Sequence, residues 1–259
     1  MLNELSSHSR NLEYIIAYFE IRSAILDQVV QYLNSLPIPY ANTLPNLCVD
    51  RYVQQECHPL FLQTFKPIKT TGDGNCMYNA LSLAFCGTEN LSIVVRLLTT
   101  YALVKHRTAM IDALSHIYFD GNHEQHIQAL TDTMHKAIHL GVWGTDLHLF
   151  SLSLLLNRPI FSYNTFYIIR QSVRILNLPD TNDPHHLAQR FSSRDQGTRG
   201  HFLFCSDVLR ASLSSGSITS LPLPPLYLFN ILNQHWVALL MLSPLVAAHI
   251  PIPTTRTIA

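Results

Sequence analysis

The sequence contains few charged residues. Asp, Glu, Lys and Arg make up 13% of its 259 residues, about half of the ~25% that is usual in a globular domain. The formal net charge is zero, so the excess of positive charge typical of a nucleic-acid-binding protein is missing. We therefore expect no nucleic-acid partner. The low charge also predicts either modest solubility or a surface that a partner covers.

Cysteine pairs of the structural kind are also missing. The five cysteines are odd in number and irregularly spaced, and no CxxC pair occurs among Cys48, Cys57, Cys76, Cys86 and Cys205. This pattern argues against a disulfide scaffold and against a zinc ribbon. It favours a reducing compartment, so we expect an intracellular protein of the cytoplasm or the nucleus.

The histidines give little support to a metal site. His135 and His139 are four residues apart on a predicted helix, a spacing that can hold a metal ion. However, no Glu follows His135 in an HExxH pattern, and the chain has 14 histidines, so chance pairs are expected. The pair His185 and His186 is discounted for the same reason. We expect neither a metal nor a cofactor.

Long apolar runs are absent as well. The N-terminal apolar pattern is interrupted by Glu13, Glu20, Arg22 and Asp27, which is unlike a signal peptide. The most apolar stretch, residues 236–250, is too short to span a bilayer and contains Pro244. We therefore expect a soluble protein with no membrane partner, and the sequence leaves the oligomeric state open.

Sequence patterns divide the chain into three parts. Residues 1–60 hold an amphipathic helix, Leu12 to Leu33, and a proline-containing connector. That helix either docks on the rest of the protein or has a separate role. Residues 61–243 are expected to form the main domain, and residues 244–259 a frayed tail.

Helices and strands alternate in the main domain. Apolar periodicity and capping residues predict helices at Cys76 to Cys86 (with Gly87 as C-cap), Ile93 to His106 (with Ser92 as N-cap), Ala109 to Phe119, Glu124 to His139 and Asp146 to Leu156. Short apolar runs predict strands at Ile160 to Tyr163 and His201 to Cys205, and a hairpin of Tyr227 to Leu232 with His235 to Leu240. The polar region from Arg170 to Gly200 is expected to form loops or an insertion. A helix, a turn and then a strand is an α/β arrangement.

Cys76 stands where a loop meets a helix. Two glycines, Gly72 and Gly74, precede it, and an apolar helical pattern begins at the cysteine itself. The first N–H groups of a helix lack partners within the helix and carry positive partial charge. That position favours ionisation of the thiol, and the thiolate is the nucleophilic form. The flexible loop also allows backbone N–H groups of Asp73 to Cys76 to point at a developing oxyanion.

A histidine suited to act as the base lies far along the chain. His235 is the first residue of the second hairpin strand, directly after the polar turn Asn233-Gln234. Cysteine hydrolases assemble their sites from segments that are distant in sequence and adjacent in space. Residue types and spacing leave two interpretations open: a Cys–His catalytic pair, or a buried cysteine and a structural histidine.

Three segments together resemble a known enzyme family. The segment Gly72-Asp73-Gly74-Asn75-Cys76-Met77-Tyr78-Asn79-Ala80-Leu81-Ser82 resembles the nucleophile motif of the ovarian-tumour (OTU) cysteine proteases. Trp143-Gly144 before an apolar helix, followed by Arg158-Pro159-Ile160, resembles the middle of that fold. Asn233-Gln234-His235-Trp236 before the last apolar strand resembles its histidine motif. The segments occur in the family's order and cover about residues 65–242.

The resemblance implies a fold, a reaction and roles for residues. The fold is papain-like α/β (α+β), with a small central, mostly antiparallel sheet flanked by helices. The reaction is removal of ubiquitin or a ubiquitin-like modifier from lysines by a thiol protease, and such conjugates are the implied partners. The implied catalytic residues are Cys76 as nucleophile, His235 as base and Asp73 in support. Trp143 and Trp236 would line the substrate cleft.

One position departs from the family pattern. Family members often carry Asn or Asp two residues after the histidine, where it orients the imidazole, whereas this sequence has Val237. Asn233 or Asn230 is the predicted substitute, with Asp73 alone as the other option. The alternative function is a weak or inactive OTU-like module that binds ubiquitin or another partner. A processing peptidase within a viral or mobile-element protein is a further alternative.

Overall fold

The structure is a computed structural model that describes residues 2–8, 11–56, 62–117, 122–165, 189–192, 199–204, 223–231 and 235–243. The helices in these ranges are α1 (Leu2–Ser7), α2 (Leu12–Ile21), α3 (Ser23–Ser35), α4 (Arg51–Glu56), α5 (Cys76–Cys86), α6 (Ser92–Lys105), α7 (Arg107–Ile117), α8 (His123–Ile138) and α9 (Asp146–Leu156). The strands are β1 (Phe65–Ile68), β2 (Ile160–Thr165), β3 (Gln189–Ser192), β4 (Arg199–Phe204), β5 (Leu226–Ile231) and β6 (His235–Met241).

The strands form one mixed sheet in the order β1-β6-β5-β2-β4-β3. The β2–β5 pair is parallel, and the other four pairs are antiparallel. Beyond β1, a bridge from Val49 to Ile68 and a backbone hydrogen bond from Asp50 N–H to the Pro67 carbonyl cover part of the open edge. This pairing reduces the number of exposed backbone groups at that edge.

Alternating side chains place the two faces of the sheet in different cores. Leu228, Trp236 and Ala238 lie in the main core with helices α5, α6, α8 and α9. Phe229, Val237 and Leu239 lie on the other face, in a smaller core that includes Val53 of α4. Successive side chains of a strand point to opposite faces, which produces this division. The predicted α/β fold with a small, mostly antiparallel sheet flanked by helices is confirmed.

The prediction of a single N-terminal helix from Leu12 to Leu33 is wrong, because two helices, α2 and α3, meet at Arg22. The Arg22 guanidinium donates a hydrogen bond to the Tyr18 carbonyl at 3.2 Å and lies over the Tyr18 ring. The Ser23 hydroxyl donates to the Glu20 carbonyl at 2.9 Å. These side chains occupy carbonyls that a continuous helix would use, so α2 ends and α3 begins.

The N-terminal helices pack on the main core. Leu5, Phe19 and Leu33, one from each of the first three helices, are fully buried in that core. Phe19 stacks on Tyr101 of α6, and the Tyr101 hydroxyl donates to Asp27. Of the two options for the N-terminal helix, the structure shows docking, while the domain boundary near residue 60 stays a prediction.

Most other element predictions agree with the structure to within a few residues. Helix α9 has the predicted limits, and Gly87 is the left-handed C-cap of α5. The prediction of Ser92 as N-cap is wrong by one residue, because Leu91 occupies that position and contributes no side-chain hydrogen bond. The region from Arg170 to Gly200 is not all loop, because β3 and the first residues of β4 lie within it. The predicted tail, residues 244–259, lies outside the described residues, and none of the described helices is long and apolar enough to cross a membrane.

Candidate active site

Cys76 is the first residue of α5 and is 3% exposed. The backbone N–H groups of Trp236 on β6, of Met77 and of Cys76 itself favour the thiolate and lower the pKa of the thiol. Burial has the larger effect and raises the pKa of the Cys76 thiol above its ordinary value, and Asp73 adds to this. The sequence predicts ionisation from the helix terminus alone, whereas the structure gives a resting site with a protonated thiol at neutral pH.

His235 is the first residue of β6, the strand on which α5 packs, so the fold brings the segments of Cys76 and His235 together. The His235 Nε2 atom is 3.2 Å from Thr70 Oγ1. The Cε1–Nδ1 edge of the ring faces Gly72, where an added Cβ would lie 3.9 Å from Cε1 and 4.0 Å from Nδ1. Burial lowers the pKa of His235, and Lys69 lowers it further, against the opposite effects of Asp50 and Glu89.

Within the described residues, no hydrogen bond joins the Cys76 thiol and the His235 imidazole. The described hydrogen bonds of the His235 ring consist of the one to Thr70. Since burial raises the pKa of Cys76 and lowers that of His235, both groups are neutral at rest. Catalytic hydrogen bonds are often long or misaligned before substrate binds, so this geometry is compatible with a base that acts only in the complex.

Asp73 holds the loop before Cys76 and does not contact His235. Its carboxylate accepts hydrogen bonds from the Asn75 N–H at 2.9 Å, from Asn75 Nδ2 at 2.9 Å and from Asn79 Nδ2 at 3.2 Å. Partial burial raises the pKa of Asp73, but the bonds from Asn75 and Asn79 outweigh it and leave that pKa below its usual value. The sequence predicts a supporting role for Asp73, and in the structure Asp73 supports the conformation of the loop before Cys76.

Arg96 of α6 anchors the same loop from below. It is 1% exposed and lies over the Tyr78 ring, with 3.9 Å from its Cζ to the ring centre. Its guanidinium donates to Asn75 Oδ1 at 2.7 Å and to the Val142 carbonyl at 2.8 Å. Sequence reasoning missed this residue; the available signal was a charged residue among the inward-facing apolar residues of a predicted helix.

Gly74 brings the loop against the chain that follows α8. Its φ is +80°, and a Cβ there would lie 2.0 Å from the Gly141 carbonyl oxygen. The Gly141 N–H in turn donates to Asn75 Oδ1 at 3.0 Å. A side chain at position 74 is thus excluded both by the left-handed backbone and by the contact.

Of the predicted oxyanion donors, the Asn75 N–H already donates to Asp73 Oδ1. The Asp73 N–H points at its own carboxylate. Within the described ranges, the N–H groups of Gly74 and Cys76 make no hydrogen bond to the backbone of another residue. The Gly74 N–H is therefore left as a donor for a developing negative charge, and the Cys76 N–H, which interacts with its own sulfur at rest, can join it once that sulfur bonds to the substrate carbon.

Residues 67–164 match the sequence model of a protein family described as "Vertnin, OTU domain". The chain contains an OTU-family domain. The matched segment begins in β1, includes Cys76 and Arg96, and ends in β2, whereas His235 follows outside it. The family membership expected from the nucleophile motif is thereby confirmed. A search among curated proteins finds no match.

Solved OTU structures resemble this OTU domain at low identity. The viral OTU domain protease from Qalyub virus is 14% identical, with a TM-score of 0.41, over 70% of this chain and 87% of the viral one. The OTUD1 OTU domain is 17% identical, with a TM-score of 0.41, over 73% and 90% of the two chains. The Hazara virus OTU, solved bound to ubiquitin, is 16% identical, with a TM-score of 0.38, over 82% and 99%. At such identities the site of this OTU domain has to be judged on its own residues.

Of the two predicted substitutes for a residue that orients His235, the structure describes Asn230 alone, and it does not bring Asn230 to the ring. Asn233 lies outside the described residues. Asn230 pairs with Trp236 across the β5–β6 ladder, so the two side chains lie on the same face of the sheet. The His235 side chain lies on the other face. The buried Oδ1 of Asn230 has no hydrogen-bond partner in the described part of the chain. Val237 is fully buried in the smaller core and has no polar group to offer.

The two tryptophans expected in the substrate cleft differ in exposure. Trp143 is 51% exposed, next to Gly144, whose backbone packs on Met77 and Tyr78 of α5. Trp236 is 4% exposed and belongs to the main core. Trp143 therefore presents a surface near the nucleophile helix, whereas Trp236 contributes its backbone N–H to the thiol.

The described residues contain no group of three or more His, Cys, Asp and Glu side chains that could hold a metal ion. Of the pair predicted to share a helix face, His139 contacts the Ser6 hydroxyl through Nδ1 at 3.0 Å, and the Nε2 of His135 is buried. His185 and His186 lie outside the described ranges.

Proposed function

We propose that this OTU domain is a cysteine-dependent isopeptidase that removes ubiquitin or a ubiquitin-like modifier from conjugates. Family membership supports the reaction class, and the nucleophile motif around Cys76 supports the choice of residue. The modifier is inferred from the family resemblance.

The observation that carries the proposal is the meeting of α5 with β6. It brings the backbone N–H of Trp236, the residue after His235, close enough to the Cys76 thiol to lower the pKa of that thiol. At the loop before α5, the N–H groups of Gly74 and Cys76 have no backbone partners in the described ranges. A nucleophile, a base and two oxyanion donors thus come from one loop-to-helix junction and one strand end.

The chemistry begins from neutral groups. His235 takes the thiol proton as the sulfur attacks the isopeptide carbonyl carbon, and the N–H groups of Gly74 and Cys76 stabilise the oxyanion. Collapse of the tetrahedral intermediate breaks the C–N bond, and His235 returns the proton to the leaving lysine amine. Water, deprotonated by His235, then hydrolyses the thioester and restores the thiol.

A second candidate function is a non-catalytic module that binds the modifier. The observations that favour it are the buried Cys76, the missing hydrogen bond between thiol and imidazole, and Val237 at the orienting position. This module would bind ubiquitin equally well with or without the sulfur atom.

Hydrolysis of di-ubiquitin and of fluorogenic conjugates of ubiquitin and its relatives separates the two candidates. We expect turnover by the wild type, loss of turnover in Cys76→Ala, and near-wild-type turnover in Cys86→Ala. Cys86 is the matched control because it lies on the same helix, where its sulfur contacts the Ser82 and Thr88 carbonyls. If no conjugate is cleaved while Cys76→Ala still binds ubiquitin, the binding module is the correct function.

A further inference from the structure

Thr70 continues the β1–β6 ladder past the end of β1. Ile68 pairs with Ala238, and two residues further along the same register Thr70 stands opposite Trp236. Thr70 is 2% exposed, and its hydroxyl donates a hydrogen bond to the Trp236 carbonyl. The Thr70 side chain thus binds the Trp236 carbonyl just beyond the end of the β1–β6 ladder. This hydrogen bond holds Oγ1 in place.

This arrangement determines which nitrogen of His235 carries the proton. A threonine hydroxyl has one hydrogen and a carbonyl oxygen can only accept, so the Thr70 hydrogen goes to Trp236. Toward His235 Nε2, 3.2 Å away, Oγ1 is left to accept. Nε2 must therefore carry a hydrogen, and in the neutral ring Nδ1 holds the free lone pair. Cε1 and Nδ1 are the ring atoms nearest to Gly72, in the loop that leads to Cys76.

We propose that Thr70 is the positioning residue that holds His235 in the Nε2–H tautomer and presents Nδ1 as the base. It would take the role that Val237, which has no polar side chain, cannot fill. The inference rests on the proposed function, since a base is needed only if Cys76 reacts. It explains how an OTU domain with valine at this position keeps an ordered imidazole.

The charged groups near the ring do not compete for this role. Asp50, Lys69 and Glu89 affect His235 through space. Asp50 accepts from the Val53 N–H, and Glu89 accepts from the N–H and hydroxyl of Thr71. The described hydrogen bonds of the ring remain limited to Thr70.

The first test reads the tautomer directly and requires no activity. In wild-type protein with ¹⁵N-labelled histidine, imidazole ¹⁵N and ¹H correlations at neutral pH report which ring nitrogen is protonated, and the His235 signals are assigned by their loss in His235→Gln. We expect the Nε2–H form. The Nδ1–H form, or a mixture of both tautomers, would overturn the inference even if the enzyme is active.

The second test measures turnover of a ubiquitin conjugate by Thr70→Val, Thr70→Ser and Thr99→Val. We expect Thr70→Val to lower kcat about tenfold with KM unchanged, because one orienting hydrogen bond is lost, and Thr70→Ser to restore most of it. Thr99→Val is the matched control, since Thr99 is also buried and also donates to a backbone carbonyl, that of Val95. A Thr70→Val enzyme with wild-type kcat, or a Thr70→Ser enzyme as slow as Thr70→Val, would refute the role.

The two tests separate this inference from the proposed function. If the wild type cleaves nothing, the proposed function fails, and the tautomer spectra of the wild type and of Thr70→Val still decide whether Thr70 sets the protonated nitrogen. If the wild type cleaves conjugates but the tautomer is Nδ1–H, the positioning role of Thr70 alone fails.

Discussion

Replacing Arg96 with methionine tests whether this side chain supports the loop that carries Cys76. The guanidinium donates to the carbonyls of Lys136, Ala137 and His139 at the end of α8, at 3.1, 3.3 and 2.6 Å. It also donates to Asn75 Oδ1 and to the Val142 carbonyl. The negative end of the α8 dipole and the Tyr78 ring compensate its charge, since neither described salt bridge includes Arg96.

The expected loss of stability follows from these contacts. Methionine fills part of the volume but leaves several buried carbonyls without a donor, at about 1–3 kcal/mol for each one that water does not reach. Relief of the buried charge offsets part of this cost. We expect Arg96→Met to lower the free energy of unfolding by about 3–5 kcal/mol, which for a chain of this size corresponds to a Tm lower by roughly 6–20 °C.

Arg107→Met is the matched control for this substitution. Arg107 forms an ion pair with Glu20 at 3.7 Å, and both side chains are at least half exposed, so its loss should cost less than about 1 kcal/mol. Urea unfolding gives both free energies, and hydrogen exchange of the amides of residues 72–76 should accelerate only in Arg96→Met. If the two variants unfold within about 1 kcal/mol of each other, Arg96 does not anchor the loop.

Three further predictions concern the loop glycine, a buried histidine and the thiol. Gly74→Ala should destabilise the protein by at least about 1–2 kcal/mol, the ordinary cost of a left-handed alanine, because its methyl group would also meet Gly141; Gly72→Ala, whose methyl group has 3.9 Å to its nearest neighbour, should be close to neutral in the same urea titration. His148 is fully buried, which lowers its pKa from 6.5 to about 4, so stability should fall as the pH drops from about 6.5 to about 4, by roughly 3 kcal/mol. A His148→Gln variant whose stability falls just as steeply would contradict that assignment. Because burial raises the pKa of Cys76, its alkylation by iodoacetamide should still accelerate above pH ~9, and a rate that levels off near pH 7 would show a preformed thiolate.

The elements that position the nucleophile follow from local sequence. The apolar pattern from Cys76 onward and the glycine at position 87 determine both ends of α5, and the polar turn between two apolar runs determines the β5–β6 pairing. Local periodicity and capping act within a few residues, so they can be read from the chain alone. The break at Arg22 is not visible in the apolar periodicity, because that pattern continues through it and the break depends on hydrogen bonds of the Arg22 and Ser23 side chains.

The partners of the candidate site could not be derived from sequence. Arg96 reaches Asn75 only because α6 packs beneath α5, and Thr70 meets His235 only through the register of two strands that are distant in the chain. The sequence likewise predicts an ionised thiol from its helix position, whereas its pKa is set mainly by burial. Such properties arise from tertiary packing, which residue patterns do not encode locally.

The reaction of the protein with ubiquitin carrying a thiol-reactive electrophile at its C-terminus tests the proposed chemistry most directly. Intact-mass measurement should show one adduct on the wild type and on Cys86→Ala, with the modified peptide containing Cys76. No adduct should form on Cys76→Ala. An adduct that persists in Cys76→Ala, or a wild type that reacts with neither ubiquitin nor any related modifier, would contradict the assignment of Cys76 as the nucleophile of an isopeptidase.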